Sequence, residues 1–218
     1  MSRLFSENFL CYYETAKTGG NLRAAKGERI MRYVVLDVET PNARNDRMSA
    51  IGVVVMEDQE TVRELYTLVN PETHFDSFNI ALTKITPAMV RRSPTFPVLW
   101  ELLEPLFSSG VLIAHNAPFD MGVLGKCLKD YHIEWKPTAD YACTCRMGRR
   151  LMPELPNHRL DTMAAALNLP LDHHNAMSDT RACAGLLRHY LDMGADIEAF
   201  RRTYDLQNLF TVGSLFGR

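Results

Sequence analysis

The sequence predicts an α/β fold, a mixed five-stranded sheet flanked by helices. Three observations lead there. Three strand-like segments follow one another with no helix between them. Helical periods then alternate with two short apolar stretches. The chain closes on three more helical stretches, giving the order βββ-αα-β-α-β-ααα. With 218 residues, 46% of them hydrophobic and 23% charged, the chain fits one domain with a substantial core.

Tyr33 to Glu39 reads as the first strand, with Val34, Leu36 and Val38 on one side and Tyr33, Val35, Asp37 and Glu39 on the other. Pro41 and the polar run to Arg47 end it. Residues 49–56 and 61–69 read as two more strands, joined through Glu57-Asp58-Gln59-Glu60 as a hairpin and forming an antiparallel meander. Thr86-Pro87 starts a short helix and Ser93-Pro94 a longer one, whose apolar face holds Phe96, Leu99, Trp100, Leu103, Leu106 and Phe107. Residues 111–115 form a short buried strand. The helix after it presents Val123, Leu124, Cys127 and Leu128. A weaker strand crosses 138–142, and helices follow near 144–152, 159–167 and 178–193.

Residues 1–30 differ from the rest. They carry Gly19-Gly20 and no sustained period, so they read as a loosely packed extension or as a short helix around 5–16. The five cysteines are an odd number with no disulfide-like spacing, which predicts reduced, mostly buried thiols in a cytoplasmic protein. No apolar run approaches the roughly 20 residues that span a bilayer, so no membrane partner is expected. A net charge of −2 gives no broad basic field and argues against a tight duplex binder, though not against a grip on a few nucleotides at one strand end.

Candidate chemistry lies in three short patches. Asp37 and Glu39 sit two apart at the end of an apolar strand, so both carboxylates leave one face. They repel unless a cation sits between them, and hard divalent ions prefer such oxygen ligands. Alone, Asp-x-Glu is weak, since chance places it roughly once in a chain this long. Asp120 falls in the first turn of a helix beyond a buried strand, with Asn116 as its cap. It either complements the helix dipole or faces a site at the strand end. His115 reads as a hydrogen-bonded core residue. Asp179 opens a helix on the side of Cys183 and Leu186, so it turns toward the sheet and needs a partner. His174 sits in the loop before that helix, free to swing, and can take a proton near neutral pH.

Together, Asp37-x-Glu39, Asp120 within His115-Asn116-Ala117-Pro118-Phe119-Asp120, and His174-x-Ala176-x-x-Asp179 resemble the three motifs of the DEDDh 3′–5′ exonucleases. The proofreading epsilon subunit of bacterial DNA polymerase III, ribonuclease T and oligoribonuclease belong to that group. The resemblance covers about residues 31–192 and implies a ribonuclease-H-like exonuclease domain over 31–194, with 195–218 as a helical, apolar tail. It implies two Mg²⁺ or Mn²⁺ held by Asp37, Glu39, Asp120 and Asp179, with His174 as the base. It further implies release of nucleoside 5′-monophosphates from a single-stranded 3′ end, DNA ahead of RNA. The competing readings are an RNA-trimming or oligoribonucleotide-degrading enzyme and a non-catalytic nucleic-acid-binding module of the same fold.

Thr40 is expected near the terminal nucleotide. Lys84, where relatives of this group carry a histidine, is expected at a phosphate. Ile85 and Phe119 are candidate walls for the terminal base, Phe119 reading first as core. Cys143-Thr144 stands where many members have Asp-Thr. The tail string Leu206-Gln207-Asn208-Leu209-Phe210 resembles a sliding-clamp-binding peptide, with leucine where glutamine is usual. Docking of these apolar residues on the domain is the first reading of the tail, ahead of clamp binding.

Overall fold

The structure, a computed structural model, describes residues 13–16, 30–206 and 208. The five expected strands form the centre of the sheet: β2 (Arg32–Glu39), β3 (Ala50–Glu57), β4 (Glu60–Leu68), β5 (Val111–Ala114) and β6 (Thr138–Cys143). Two short edge strands extend it to seven, β1 (Tyr13–Ala16) beside β4 and β7 (Arg202–Asp205) beside β6. The order is β1-β4-β3-β2-β5-β6-β7. β2 is the hinge of the topology: it runs antiparallel to β3 and parallel to β5. β5 and β6 are also parallel, and β7 returns antiparallel. Tyr13–Ala16 are therefore strand, not the helix weighed for that region; the other residues before Ile30 lie outside the described ones.

Alternation along β2 builds two cores. Val34, Leu36 and Val38 pack with Phe96, Leu99 and Leu103 of α3 (Phe96–Phe107) and with Val123, Leu124 and Leu128 of α4 (Pro118–Asp130). Tyr33 and Val35 face the other way, onto Leu186, Leu187 and Tyr190 of α7 (Ala176–Asp192) and the shorter helices α5 (Thr144–Leu151) and α6 (Leu160–Ala166). Six of the twelve residues of α3 are buried, and they are the six that the helical period selects. The helix starts at Phe96, three residues after Ser93, because Thr95 occupies the cap position. The two-residue turn Asp58-Gln59, with Asp58 at φ 51°, closes the β3–β4 hairpin.

One helix escapes the sequence pattern. α1 (Ser77–Thr83) precedes the expected short helix, α2 (Pro87–Val90). Its buried residue is Asn79, while Phe78 and Leu82 face solvent, so it has no apolar face to read. Tail residues 197–200 form a 3-10 turn and 202–205 a strand. Leu206 is buried and its amide donates to the Pro137 carbonyl. That anchors the start of the clamp-like string in the domain; Asn208 apart, the rest lies outside the described residues. Cys127, Cys143, Cys145 and Cys183 are free thiols, all but Cys145 buried, and Cys11 lies outside the described residues. No helix among the described residues is long and apolar enough to cross a membrane.

Candidate active site

The strand ends of β2 and β5 and the first turns of α4 and α7 converge on one cavity of about 530 Å³. It lies beyond the carboxyl ends of parallel strands, where α/β sheets place their sites. One carboxylate oxygen from each of Asp37, Glu39 and Asp179 lies within 4.8 Å of the other two. Asp120 joins from α4: the Val38 amide, between the two β2 acids, donates to its Oδ1 at 3.2 Å. Asp120 is 2% exposed and Asp179 3%. Three of the four acids scattered through the chain thus share the cavity, and Asp120, outside its lining, is bonded to the strand between two of them.

Packing brings Asp179 in. Gly52 of β3 pairs with Asp37 in register, and a Cβ there would sit 2.5 Å from the Ala176 carbonyl and from Thr180 Oγ1. The missing side chain lets the start of α7 lie against the sheet. Asn175 caps α7 by accepting from the Ser178 amide.

Crowding shows in the protonation of these groups. Burial raises the Asp37 carboxyl well above its ordinary range, and Asp120, Glu39 and Asp179 raise it further. Glu39 is pushed up to about 8, mainly by burial and then by Asp179 and Asp120. Asp120 also rises to about 8 through burial, partly offset by the Val38 amide. Asp179 Oδ1 is buried with no hydrogen-bond partner. An orphaned buried carboxylate oxygen is costly, and three clustered carboxylates repel one another. Hard oxygen donors in this number and spacing fit a divalent cation, which would resolve both penalties.

The histidine loop departs from expectation. His174 does precede α7, in the left-handed conformation at φ 68°. It is not free to swing: its amide donates to Asp179 Oδ2 at 3.1 Å, and its ring stacks on His173 with centroids 3.9 Å apart. His173, outside the three motifs, bonds Asp179 Oδ2 through Nδ1 at 2.9 Å. Only its adjacency to His174 marks it in the sequence. Burial and His173 both lower the proton affinity of His174.

The remaining expected residues divide. Thr40, Asn116 and Phe119 line the cavity. Phe119 is 39% exposed on its rim, which overturns core packing as its first reading. Asn116 adopts φ 64° and does not cap α4 through its side chain; Ala117 holds the cap position and Pro118 opens the helix. Ile85 is 5% exposed and packs with Ala50, Leu68, Val90 and Ala176, so it is core rather than a stacking wall. Lys84 ends α1 at φ 61° and lines a smaller neighbouring pocket with His173 and His174, outside the main cavity. His115 is held between Thr144 Oγ1 and the His158 carbonyl, both at 3.0 Å, and burial lowers it to about 4. Asn79 was missed: its amide donates to the Thr40 carbonyl at 3.0 Å and steadies the residue after the acidic pair.

Comparison with known proteins shows the family and the fold. The profile of the RNase T exonuclease family matches residues 34–187, which contain all five motif residues. The chain belongs to this exonuclease family. It is 35% identical over 160 residues to a DNA polymerase III PolC-type protein of Clostridium perfringens, covering 72% of this chain and 11% of that one. The PolC-type protein of Bacillus subtilis is 33% identical over 167 residues, covering 75% and 12%. The chain thus spans about a tenth of the length of these relatives. Among solved structures, Exonuclease X in complex with 5′ overhanging duplex DNA gives a TM-score of 0.63 at 23% identity, covering 82% of this chain and 99% of that one. An Exonuclease I structure gives 0.65 at 16% identity, covering 84% and 43%. Both have the ribonuclease-H-like fold seen in this exonuclease domain.

Proposed function

We propose that this exonuclease-family chain is a metal-dependent 3′–5′ exonuclease that hydrolyses the terminal phosphodiester of single-stranded nucleic acid, DNA before RNA, and releases nucleoside 5′-monophosphates. The observation that carries this reading is the meeting of Asp37, Glu39 and Asp179, one carboxylate oxygen of each within 4.8 Å of the others, together with a buried Asp179 oxygen that has no hydrogen-bond partner. DNA is favoured because the PolC-type relatives are named as DNA polymerases.

Asp37, Glu39, Asp120 and Asp179 would hold two Mg²⁺ or Mn²⁺. When bound, such ions lower the pKa of a coordinated water and neutralise charge on the leaving oxygen. Everything else falls to the chain's own groups. By the resemblance to DEDDh exonucleases the first acid of the set would serve both ions, which makes Asp37 the least replaceable ligand. Asp120 is aimed by the Val38 amide. His174 is mainly neutral at pH 7, because burial disfavours its cation, and a neutral ring nitrogen can accept the proton of the attacking water. Phe119 offers an apolar surface at the cavity rim on which a terminal base can stack, and Thr40 lines the same cavity.

Incubation with Mg²⁺ and 5′-labelled single-stranded DNA or RNA tests this. The expected product is a ladder shortening one nucleotide at a time from the 3′ end, faster on DNA. A faster RNA ladder would transfer the activity to RNA trimming. Loss of neither strand would leave a binding module. Asp37→Ala is expected to abolish the ladder with the fold intact by circular dichroism, and a wild-type rate in that variant would remove the metal assignment.

A further inference from the structure

The cavity walls differ in chemistry. Asn79, Leu82 and Thr83 of α1 line the cavity with uncharged, partly apolar groups; Arg149 of α5 and His158 and Arg159, just before α6, line it with basic ones. The basic lining continues along α5. Residues 144–161 carry four arginines against two acids, in a chain whose net charge is −2. Arg146, Arg149, Arg150 and Arg159 are all exposed.

Ordinary structural roles account for only part of this. Arg149 and Arg150 lie in the last turn of α5, where cations complement the helix dipole. Arg150 also sits over the Phe200 ring, 5.7 Å from its centroid. Arg149 reaches the Cys145 thiol, a weak acceptor. Arg146 occupies the first turn, where the dipole disfavours a cation. Arg159 is off the helix, and its pair with Asp161 at 3.3 Å is exposed on both sides and worth little. Arg146 and Arg149 are three apart, so their stems emerge as neighbours on one helix surface.

We propose that Arg146, Arg149 and Arg159 form a phosphate track for the strand upstream of the scissile bond, with the terminal nucleoside against the Asn79–Leu82 wall. The proposal rests on the exonuclease reading and deepens it, because it fixes the direction in which the strand enters. A guanidinium fork matches phosphate oxygens, and a nucleic-acid strand is the polyanion that meets successive cations along a line. Only the end of the strand then lies between the carboxylates. A local track also reconciles an overall acidic chain with a polyanionic substrate, since the four acids repel phosphate unless neutralised and the arginines draw it in from one side.

The test measures binding and chemistry separately. Arg146→Gln, Arg149→Gln and the double variant are compared with the wild type in Mg²⁺, using fluorescence anisotropy of labelled oligothymidylate whose 3′-terminal linkages are hydrolysis-resistant phosphorothioates, over a salt series. Each arginine that neutralises a phosphate adds about 0.7 to the log–log salt slope for a single strand. The slope is expected to become shallower by about that much per substitution, with Kd rising several-fold at low salt. Slopes and affinities unchanged in all three variants would overturn the track. Equal competition by polyglutamate would also overturn it, marking the face as a docking surface for an acidic protein. Hydrolysis of the p-nitrophenyl ester of thymidine monophosphate, which has no upstream strand, reports the exonuclease reading by itself. If that ester is inert while the salt slopes shift as expected, the track stands and the catalytic reading falls.

Discussion

His173 and Asp179 form a hydrogen-bonded pair, Nδ1 to Oδ2 at 2.9 Å, at the mouth of the acidic cavity. With the His174 amide on the same oxygen at 3.1 Å, Oδ2 is fully engaged by the loop, and Oδ1 is left for whatever the cavity holds. The pair therefore fixes how Asp179 presents itself to Asp37 and Glu39. The same His173 ring stacks on His174. One side chain thus orients both a candidate ligand and the candidate base.

His173→Phe keeps an aromatic ring for the stack and deletes the bond to Asp179. Loss of a group that orients a metal ligand typically costs 10–100-fold in metal affinity. Calorimetric titration with Mn²⁺ is expected to show a loss in that range, with unchanged thermal stability in the metal-free protein. Wild-type affinity in this variant would mean that the His174 amide alone suffices to aim Asp179.

His174→Ala is expected to slow turnover by about 10²–10⁴ while metal affinity is largely kept. In the wild type the rate should fall on the acid side as the ring becomes protonated, with a midpoint below the ordinary 6.5 because burial disfavours the cation. That limb should vanish in the variant. An acid limb retained unchanged in His174→Ala would assign the proton to another group.

The carboxylates give a pH dependence of stability that runs opposite to the usual one. Glu39 and Asp120 titrate near 8 in the folded protein, against ordinary values of 4.5 and 3.8. Between those limits the folded state holds more protons than the unfolded state, so metal-free stability falls as pH rises through that window. The share of these two groups in the loss is complete above about 8. Thermal melts with a chelator should show this decline, Glu39→Gln should flatten part of it, and added Mn²⁺ should reverse it by favouring the ionised forms. Melts that rise with pH across the window in the metal-free protein would show that the acids are not mutually strained.

The legible parts of this fold are those in which one residue's neighbours in sequence decide its environment. Alternation along β2 separates Leu36 from Asp37, and the helical period of α3 selects its buried face. The carboxylates were readable for the same reason: two at a strand end, and two in first turns of amphipathic helices. What escaped depends on contacts between distant segments. α1 is held by Asn79 bonding Thr40, which leaves no apolar stripe. Ile85 and Phe119 are both apolar residues beside a loop, and nothing local says that one enters the core with Ala176 while the other stays on the rim. His173 differs from any loop histidine only through a bond to a helix six residues on. The edge strand β7 is short and mostly exposed, so its pairing with β6 leaves no hydrophobic period.

Gly52 is where fold and site depend most directly on one position. It faces α7 across from Asp37, and its φ is not in the left-handed region, so the backbone alone would accept alanine. Space would not: the added Cβ would meet the Ala176 carbonyl and Thr180 Oγ1 at 2.5 Å, and backbone on a packed helix cannot step aside as a flexible side chain does. Overpacking of this kind typically costs about 1–3 kcal/mol. Relief requires α7 to lift at its first turn, which carries Asp179 away from Asp37 and Glu39. Gly52→Ala is therefore expected to lower stability in urea by about that amount and, beyond it, to weaken Mn²⁺ binding in the fraction that remains folded. A variant that loses stability but binds Mn²⁺ as the wild type does would show that the first turn of α7 holds its place independently of the sheet.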